Sequence, residues 1–587
     1  MSKRTNHSAS GVGARTAMIV VLMASVAILA LSLAACGGTK SSSTQSPQTQ
    51  AAQGVIKQGG TLTILGDYGL PWPSNFNPFQ YTVFTPTYWG LIYEPLWILN
   101  SFAQPGGPAV PSEYPWLASA YKWSNDNKTL TFTIRKGVKW SDGQPFTAAD
   151  VVFTFDLIKK FPACDVGNAW ASLNSVRQQG TDEVAMSIKP GGIPGFQAIA
   201  CNTYIVPKHI WEKVSDPTKY VDRNPVGTGP FLIVTSSSQV LVYNRNPNYW
   251  QPGKPYIDKI ILPDYTSNNT CNRDLSNDTK GAAGEQFIPS IQTYYIKKDP
   301  TYRHYWFPAV NNWALFPNLT QNKFLKNRLV RQAVSYAINR SDVAQKAEYG
   351  YTLPASQTGV LTRFTSWYDK QADGQYDFYQ YNPDKAVSLL TQAGFTRGSD
   401  GIFRAANGEK LSLSIICASA FSDSVSACQI MADDLRKVGI DASNEPIAMN
   451  TFYSRSMSGQ FDLAWQQVGY GYTPYYELDY LLGSKFALPI GQPATANYER
   501  WKDPKTDQLL AQYASTTDTT VQHSAVNGLQ AIMLEQVPVI PILQGVVWCQ
   551  YSDKFFVDWP TEGNPYCNPG LYIAPDLGVT LTRIHLR

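Results

Sequence analysis

The sequence predicts an α/β protein built in lobes, and three observations carry that prediction. Hydrophobic residues make up 43% of the 587, enough for a substantial core and too many for a disordered chain. Segments that alternate apolar with polar residues lie between segments with apolar residues at helical spacing, along the whole chain. No element repeats at a fixed period, which sets aside solenoids and propellers. Such interspersion fits α/β lobes better than a β-sandwich or a helical bundle.

Thr61-Leu62-Thr63-Ile64-Leu65 reads as an opening strand after the Gly59-Gly60 break. Leu130, Phe132 and Ile134 alternate with threonines, a half-buried strand entered through the turn-forming Ser124-Asn125-Asp126-Asn127. A helix should follow Thr147 as N-cap, with Asp150 completing a capping box and Val151, Phe155 and Ile158 on its apolar face. Gly227-Thr228-Gly229-Pro230 is a tight turn before the strand Phe231-Leu232-Ile233-Val234. It is no phosphate cradle, because Pro230 lacks the N–H that a cradle would need. Further on, Leu329, Val330, Ala333, Val334, Ala337 and Ile338 form one helix face. Asn382 caps a helix that starts at Pro383 and ends by Gly394. Leu411 to Ile416 is a strand, and Ala427 to Val438 a helix closed by Gly439.

Lys3, Arg4 and Arg15 precede an apolar stretch from Ala17 to Leu33, the pattern of a secretory signal. Without those three, 45 basic side chains stand against 44 acidic ones. With no basic stripe left, nucleic-acid binding is not expected. Leu33-Ala34-Ala35-Cys36-Gly37 resembles the lipobox of bacterial lipoproteins, which implies cleavage before Cys36 and its lipidation. The alternative is an uncleaved anchor, since ~17 apolar residues sit at the lower edge of spanning length. The Ser/Thr/Gln-rich stretch from Thr39 to Gln53 reads as a flexible tether. Both readings put the body outside the cytoplasm, lipid-anchored to the cell membrane in the first.

Seven cysteines follow Cys36. Near neighbours would pair as Cys164–Cys201, Cys417–Cys428 and Cys549–Cys567, with Cys271 odd; buried free thiols are the competing reading. No CxxC occurs, and His209, His304, His523 and His585 stand far apart, so neither a metal site nor a cofactor is expected. Nor is there a GxSxG elbow, an HExxH helix, a Walker loop or a Rossmann fingerprint. Paired carboxylates of a glycosidase stay open, because spacing cannot place them.

A dispersed set of motifs is more informative. Tyr93-Glu94-Pro95-Leu96, Pro115-Trp116-Leu117-Ala118-Ser119 and Phe132-Thr133-Ile134-Arg135-Lys136-Gly137-Val138-Lys139-Trp140-Ser141-Asp142-Gly143 come first. Thr147 to Val151, Pro225 to Phe231, Arg245-Asn246-Pro247-Asn248-Tyr249-Trp250, Val330 to Arg340 and Tyr381 to Phe395 follow in order. In this order they resemble the oligopeptide/dipeptide/nickel-binding class of extracytoplasmic solute-binding lipoproteins of ABC importers, solute-binding family 5. The resemblance runs from about Gly60 to the mid-500s. It implies the bilobal periplasmic-binding-protein-like fold (type II, cluster C), two hinged α/β lobes with an extra lobe inserted in the first. The ligand is enclosed as the lobes close. The implied organisation is a signal peptide at 1–35, a tether at 36–56 and lobe I at 57–90, 226–310 and 531–587. The inserted lobe is then 91–225 and lobe II 311–530. Implied partners are an ABC permease with its ATPase and a ligand, an oligopeptide or similar polar solute first and an oligosaccharide as the alternative, bound by a monomer without catalysis. An exported carbohydrate-active enzyme and a metal or haem carrier are the competing classes. The landmarks themselves read as scaffold, with Arg331 and Arg340 on a helix surface or between lobes.

In peptide-binding relatives a tryptophan and an aspartate follow the strand equivalent to Phe461-Asp462-Leu463-Ala464, and that carboxylate pairs with the ligand's ammonium. Here Val468 and Gly471 fall at those positions, among Trp465, Gln466, Gln467, Tyr470, Tyr472, Tyr475 and Tyr476. An enclosed ammonium without a carboxylate would cost several kcal/mol. Either Glu477 or Asp479 substitutes, or the ligand has no free amine; aromatic faces with amide side chains would suit an oligosaccharide. The other expected wall is Phe76, Asn77, Tyr81 and Trp89, with Trp313 near the crossing between lobes.

Overall fold

The strand Thr61–Leu65 forms where expected and is the centre of a seven-stranded sheet. The computed structural model describes residues 56–66, 71–80, 90–103, 108–378, 380–469 and 471–587. Thr61–Leu65 runs parallel to Lys259–Pro263 on one side and to Ala283–Gly284 on the other. The antiparallel strands Val240–Arg245 and Phe231–Ser236 extend one flank; Gln550–Ser552 and Arg303–Tyr305 extend the other.

Inserted between the first strand and its partners is a four-stranded antiparallel sheet: Ala118–Trp123, Thr129–Ile134, Glu183–Ile188 and Leu173–Gln179. Its alternating Leu130, Phe132 and Ile134 are buried against the helix Ala148–Lys160. That helix starts where Asp150 Oδ2 accepts from Thr147 N at 2.8 Å, the capping box expected from its sequence.

Several dispersed motifs converge on one buried carboxyl. Glu94 accepts from Trp116 Nε1 (2.7 Å), Tyr249 OH (2.7 Å) and Trp250 Nε1 (2.9 Å), and burial pushes its pKa up to about 7. Arg135 donates to the carbonyl of Trp116 and lies 4.6 Å from the Trp250 ring centre. Gly227 and Gly229 pass so close to Leu91 and Ile92 that a Cβ would sit 1.9 and 2.3 Å from their carbonyl oxygens.

A five-stranded sheet organises the rest, in the order Asp441–Ile447, Ser412–Ala418, Leu463–Gln467, Ala309–Pro317, Ile540–Val546. Its last strand lies beyond residue 530, the expected end of lobe II, because Ile540–Val546 hydrogen-bonds to Ala309–Pro317. The helices Arg328–Ala337, Pro383–Gln392 and Ser422–Lys437 pack on one face with the expected apolar stripes inward.

Arg331 and Arg340 correct the expectation of a surface or interlobe role, since both are buried inside this lobe. Arg331 donates to the carbonyls of Leu325, Lys326, Gln536 and Val537, the last two at the carboxyl end of the helix Thr519–Gln536. Arg340 holds the carbonyls of Ser335, Phe378 and Pro541. The seven cysteines after Cys36 are all buried and free, so the expected pairs do not form.

Candidate functional site

Open α/β sheets bind ligands beyond the carboxyl ends of their parallel strands. In the seven-stranded sheet those ends are Leu65 and Gly284, followed directly by Glu285; in the five-stranded sheet the strand Leu463–Gln467 ends at Gln467. The chain crosses from one sheet to the other twice, and the crossings run side by side. Trp306 N donates to the carbonyl of Cys549 at 3.0 Å and Val547 N to that of Pro308 at 3.1 Å. Both rims therefore flank one double crossing. Phe287, Phe307, Tyr351 and Trp548 surround it, with ring centres 4.9 to 6.3 Å apart.

Trp313 opposes Gln467 in the antiparallel pair, and Leu315 opposes Trp465. Alternation puts Trp313, Trp465 and Gln467 on one face of the sheet and Gln466 on the other. The two indoles stack with centres 5.2 Å apart and planes 21° apart. Trp465 is the inner member, 2% exposed, with its Nε1 lacking a partner; Trp313 is half-buried and Gln467 exposed. Asn311 Oδ1 and Gln466 Oε1 are buried acceptors without partners among the described residues. Gly545 makes room for this corner, since a Cβ there would lie 2.1 Å from Asn311 Oδ1 and 2.9 Å from Trp313 Cδ1.

The loop after Gln467 departs from the peptide-binding pattern for a steric reason. A Cβ on Gly471 would fall 2.4 Å from Tyr476 Cβ, so no aspartate fits there as the chain stands. The Gly471 carbonyl instead accepts from Arg363, which also donates to the carbonyls of Ser101 and Val310. Glu477 is buried and accepts from Asn312 Nδ2 at 2.5 Å, with its pKa pushed up to about 8 by burial. Asp479 is bound to Lys485 at 2.7 Å. Both candidate substitutes are thus committed elsewhere. Tyr475 stacks on Tyr513 in the core, Tyr472 is half-buried, and Tyr476 OH donates to the carbonyl of Pro194 beside the inserted sheet.

Phe76 and Asn77 lie apart from this corner. Phe76 is fully buried in the core, and Asn77 Nδ2 donates to the carbonyls of Pro217 and Tyr220. Tyr81, Trp89, Tyr470 and Cys36 lie outside the described residues. Sequence reasoning missed Glu285, whose two carboxylate oxygens are buried without partners and whose pKa burial pushes well up. The Gly284-Glu285 position at a strand end was the available signal.

A family model described as bacterial extracellular solute-binding proteins, family 5 Middle, matches residues 113–487. The chain belongs to that family. It is therefore an extracytoplasmic solute-binding protein and not an enzyme. Among relatives, the nickel-binding periplasmic protein of Escherichia coli K12 is 27% identical over 515 residues, covering 84% of this chain and 91% of that protein. The glutathione-binding protein GsiB of the same strain is 27% identical over 471 residues, 79% of this chain and 84% of that one. A mannohexaose-bound periplasmic oligopeptide-binding protein of Thermotoga maritima has a TM-score of 0.81 at 26% identity, covering 90% of this chain and 98% of that one. These likenesses show the bilobal α/β fold of the family. Among the described residues, no helix is long and apolar enough to cross a membrane.

Proposed function

We propose that this protein is the receptor of an ABC importer and encloses an extended, uncharged polar solute, an oligosaccharide, beside the double crossing. The observation that carries this reading is the Trp313–Trp465 stack at the sheet corner, with Trp465 Nε1 and Asn311 Oδ1 unpartnered among the described residues. A half-buried indole supplies a flat face for a sugar ring, and a hydroxyl-rich ligand donates and accepts at once. The commitment of Glu477 and Asp479 supports a ligand without a free amine, as does the likeness to a mannohexaose-bound protein.

An oligopeptide is the second reading, favoured by Glu285. Its unpartnered carboxyl sits at a strand end beside the crossing and would ionise against a ligand ammonium. Calorimetric titration with manno- and gluco-oligosaccharides of four to six units, alongside tri- to pentapeptides, separates the two. Saturable heat with the sugars only is expected; heat with the peptides only would replace the first reading by the second.

The lobes, the inserted lobe and the tether are taken at the boundaries given by the sequence, with lobe II extended through Val546. The permease and its ATPase receive the closed form. Anchoring through a lipid on Cys36 and a monomeric state complete the proposal. A Cys36→Ser chain should leave the membrane fraction on cell fractionation, and retention there would point to an uncleaved anchor.

A further inference from the structure

We propose a second binding site, for an alkyl or aryl phosphate, at the end of the five-stranded sheet remote from the double crossing. A cavity of about 750 Å³ lies there, within the range of small-molecule sites. Leu319 on its wall follows Trp313 by six residues, roughly 20 Å at about 3.3 Å per residue. This site is independent of the reading proposed for the cleft.

Its charge is one-sided. Lys326, Arg328, Arg331, Arg500 and Lys502 line the cavity, and no carboxylate does. Arg328 meets Glu535 at 3.2 Å, while Lys326 and Lys502 have no ion-pair partner among the described residues. Glu499, next to Arg500, is fully buried and not on the cavity wall, and its pKa is pushed well up by burial against the opposing pull of Arg500.

Two of the cations are fixed in advance. Arg331 is clamped by backbone carbonyls. Arg500 is 4% exposed, and its two terminal nitrogens hold the carbonyls of Asn497, Tyr498 and Met457. Its Nε has no partner. Its φ of +67° is a strained value for a residue with a side chain, tolerated where the surroundings over-determine the position. Fixed guanidinium groups and two exposed ammonium groups lining one cavity suit a divalent oxyanion. The same cavity has an apolar share: Leu488, Pro489, Ile490 and Trp501, whose Nε1 is tied to Thr506. A cavity lined by both cations and apolar side chains selects an amphiphilic phosphate over inorganic phosphate.

That chemistry has two sources, a phospholipid headgroup and a soluble phosphate ester. Calorimetric titration with octyl phosphate is expected to give saturable binding at least tenfold tighter than inorganic phosphate or octanol. The exposed pair Lys326→Ala/Lys502→Ala should weaken it at least tenfold with melting unchanged. Equal binding by that double variant, or octanol binding as tightly, would overturn the site. Flotation with phosphatidylglycerol against phosphatidylcholine vesicles assigns the source. Retention on the anionic vesicles, lost in the double variant, means a headgroup; octyl phosphate binding without retention means a soluble ester. Binding of neither overturns the proposal.

Discussion

Two tryptophans of one sheet corner illustrate how burial separates ligand contact from core. Trp313 is half-buried and flat against Trp465, so on the proposed reading truncating it removes a ligand face but little packing. Trp313→Ala should weaken ligand binding by about 1–3 kcal/mol in calorimetry, with less than about 1 kcal/mol lost in unliganded denaturant melts. Trp465 is 2% exposed within the lobe's main core, and Trp465→Ala should cost about 3–5 kcal/mol of stability in the same melts. Glu477 adds a pH dependence. Its folded pKa of about 8 lies above its ordinary 4.5, so the folded state keeps a proton that the unfolded state releases. Stability falls as pH rises between those values. Glu477→Gln, which keeps the acceptor for Asn312, should therefore stabilise the protein more at pH 8 than at pH 5 in urea titrations.

At the scale of elements, strand register decides what the corner presents. Ala309–Pro317 must pair with both Leu463–Gln467 and Ile540–Val546, and the second pairing has irregularities on either side of Asn311–Trp313. Gly545 sits opposite Asn311 in that stretch. Gly545→Ala would push a methyl into Asn311 and Trp313 and is expected to abolish ligand binding while the protein still folds; unchanged titration heats would show that the strand yields instead. The motif cluster around Glu94 makes a different forecast. Glu94→Ala leaves two indole N–H groups and the Tyr249 hydroxyl without their buried acceptor, an expected loss of several kcal/mol in thermal melts. Capping and periodicity made these elements readable in advance: the Thr147–Asp150 box, Asn382 before Pro383, and Gly439 after the helix Ser422–Lys437 all stand where sequence places them.

For the whole molecule, contacts already bridge the lobes. Arg363 ties Ser101 to Gly471, and Tyr476 ties the five-stranded lobe to Pro194 beside the inserted sheet. Ligand is expected to favour this bridged form, so X-ray scattering should show a smaller radius of gyration on titration with the bound oligosaccharide. An unchanged radius would remove the closure mechanism. The buried free thiols make melting insensitive to reductant: the transition should coincide with and without dithiothreitol, and denaturation should expose seven alkylatable thiols beyond Cys36.

Local spacing determined the α/β alternation and the positions of the elements named from it, because caps, turns and periodicity act over a few residues, while the family was legible through the resemblance of an ordered set of motifs. Which aromatic stays partly exposed and which fills a core depends on contacts between residues more than a hundred positions apart, such as Trp313 with Trp465 and Asn77 with Pro217. The same distance hid Glu285, the burial of Arg331 and Arg340, and the free state of the cysteines. Only the assembled sheets and their double crossing decide those, since burial and hydrogen-bond partnership are properties of the packed chain.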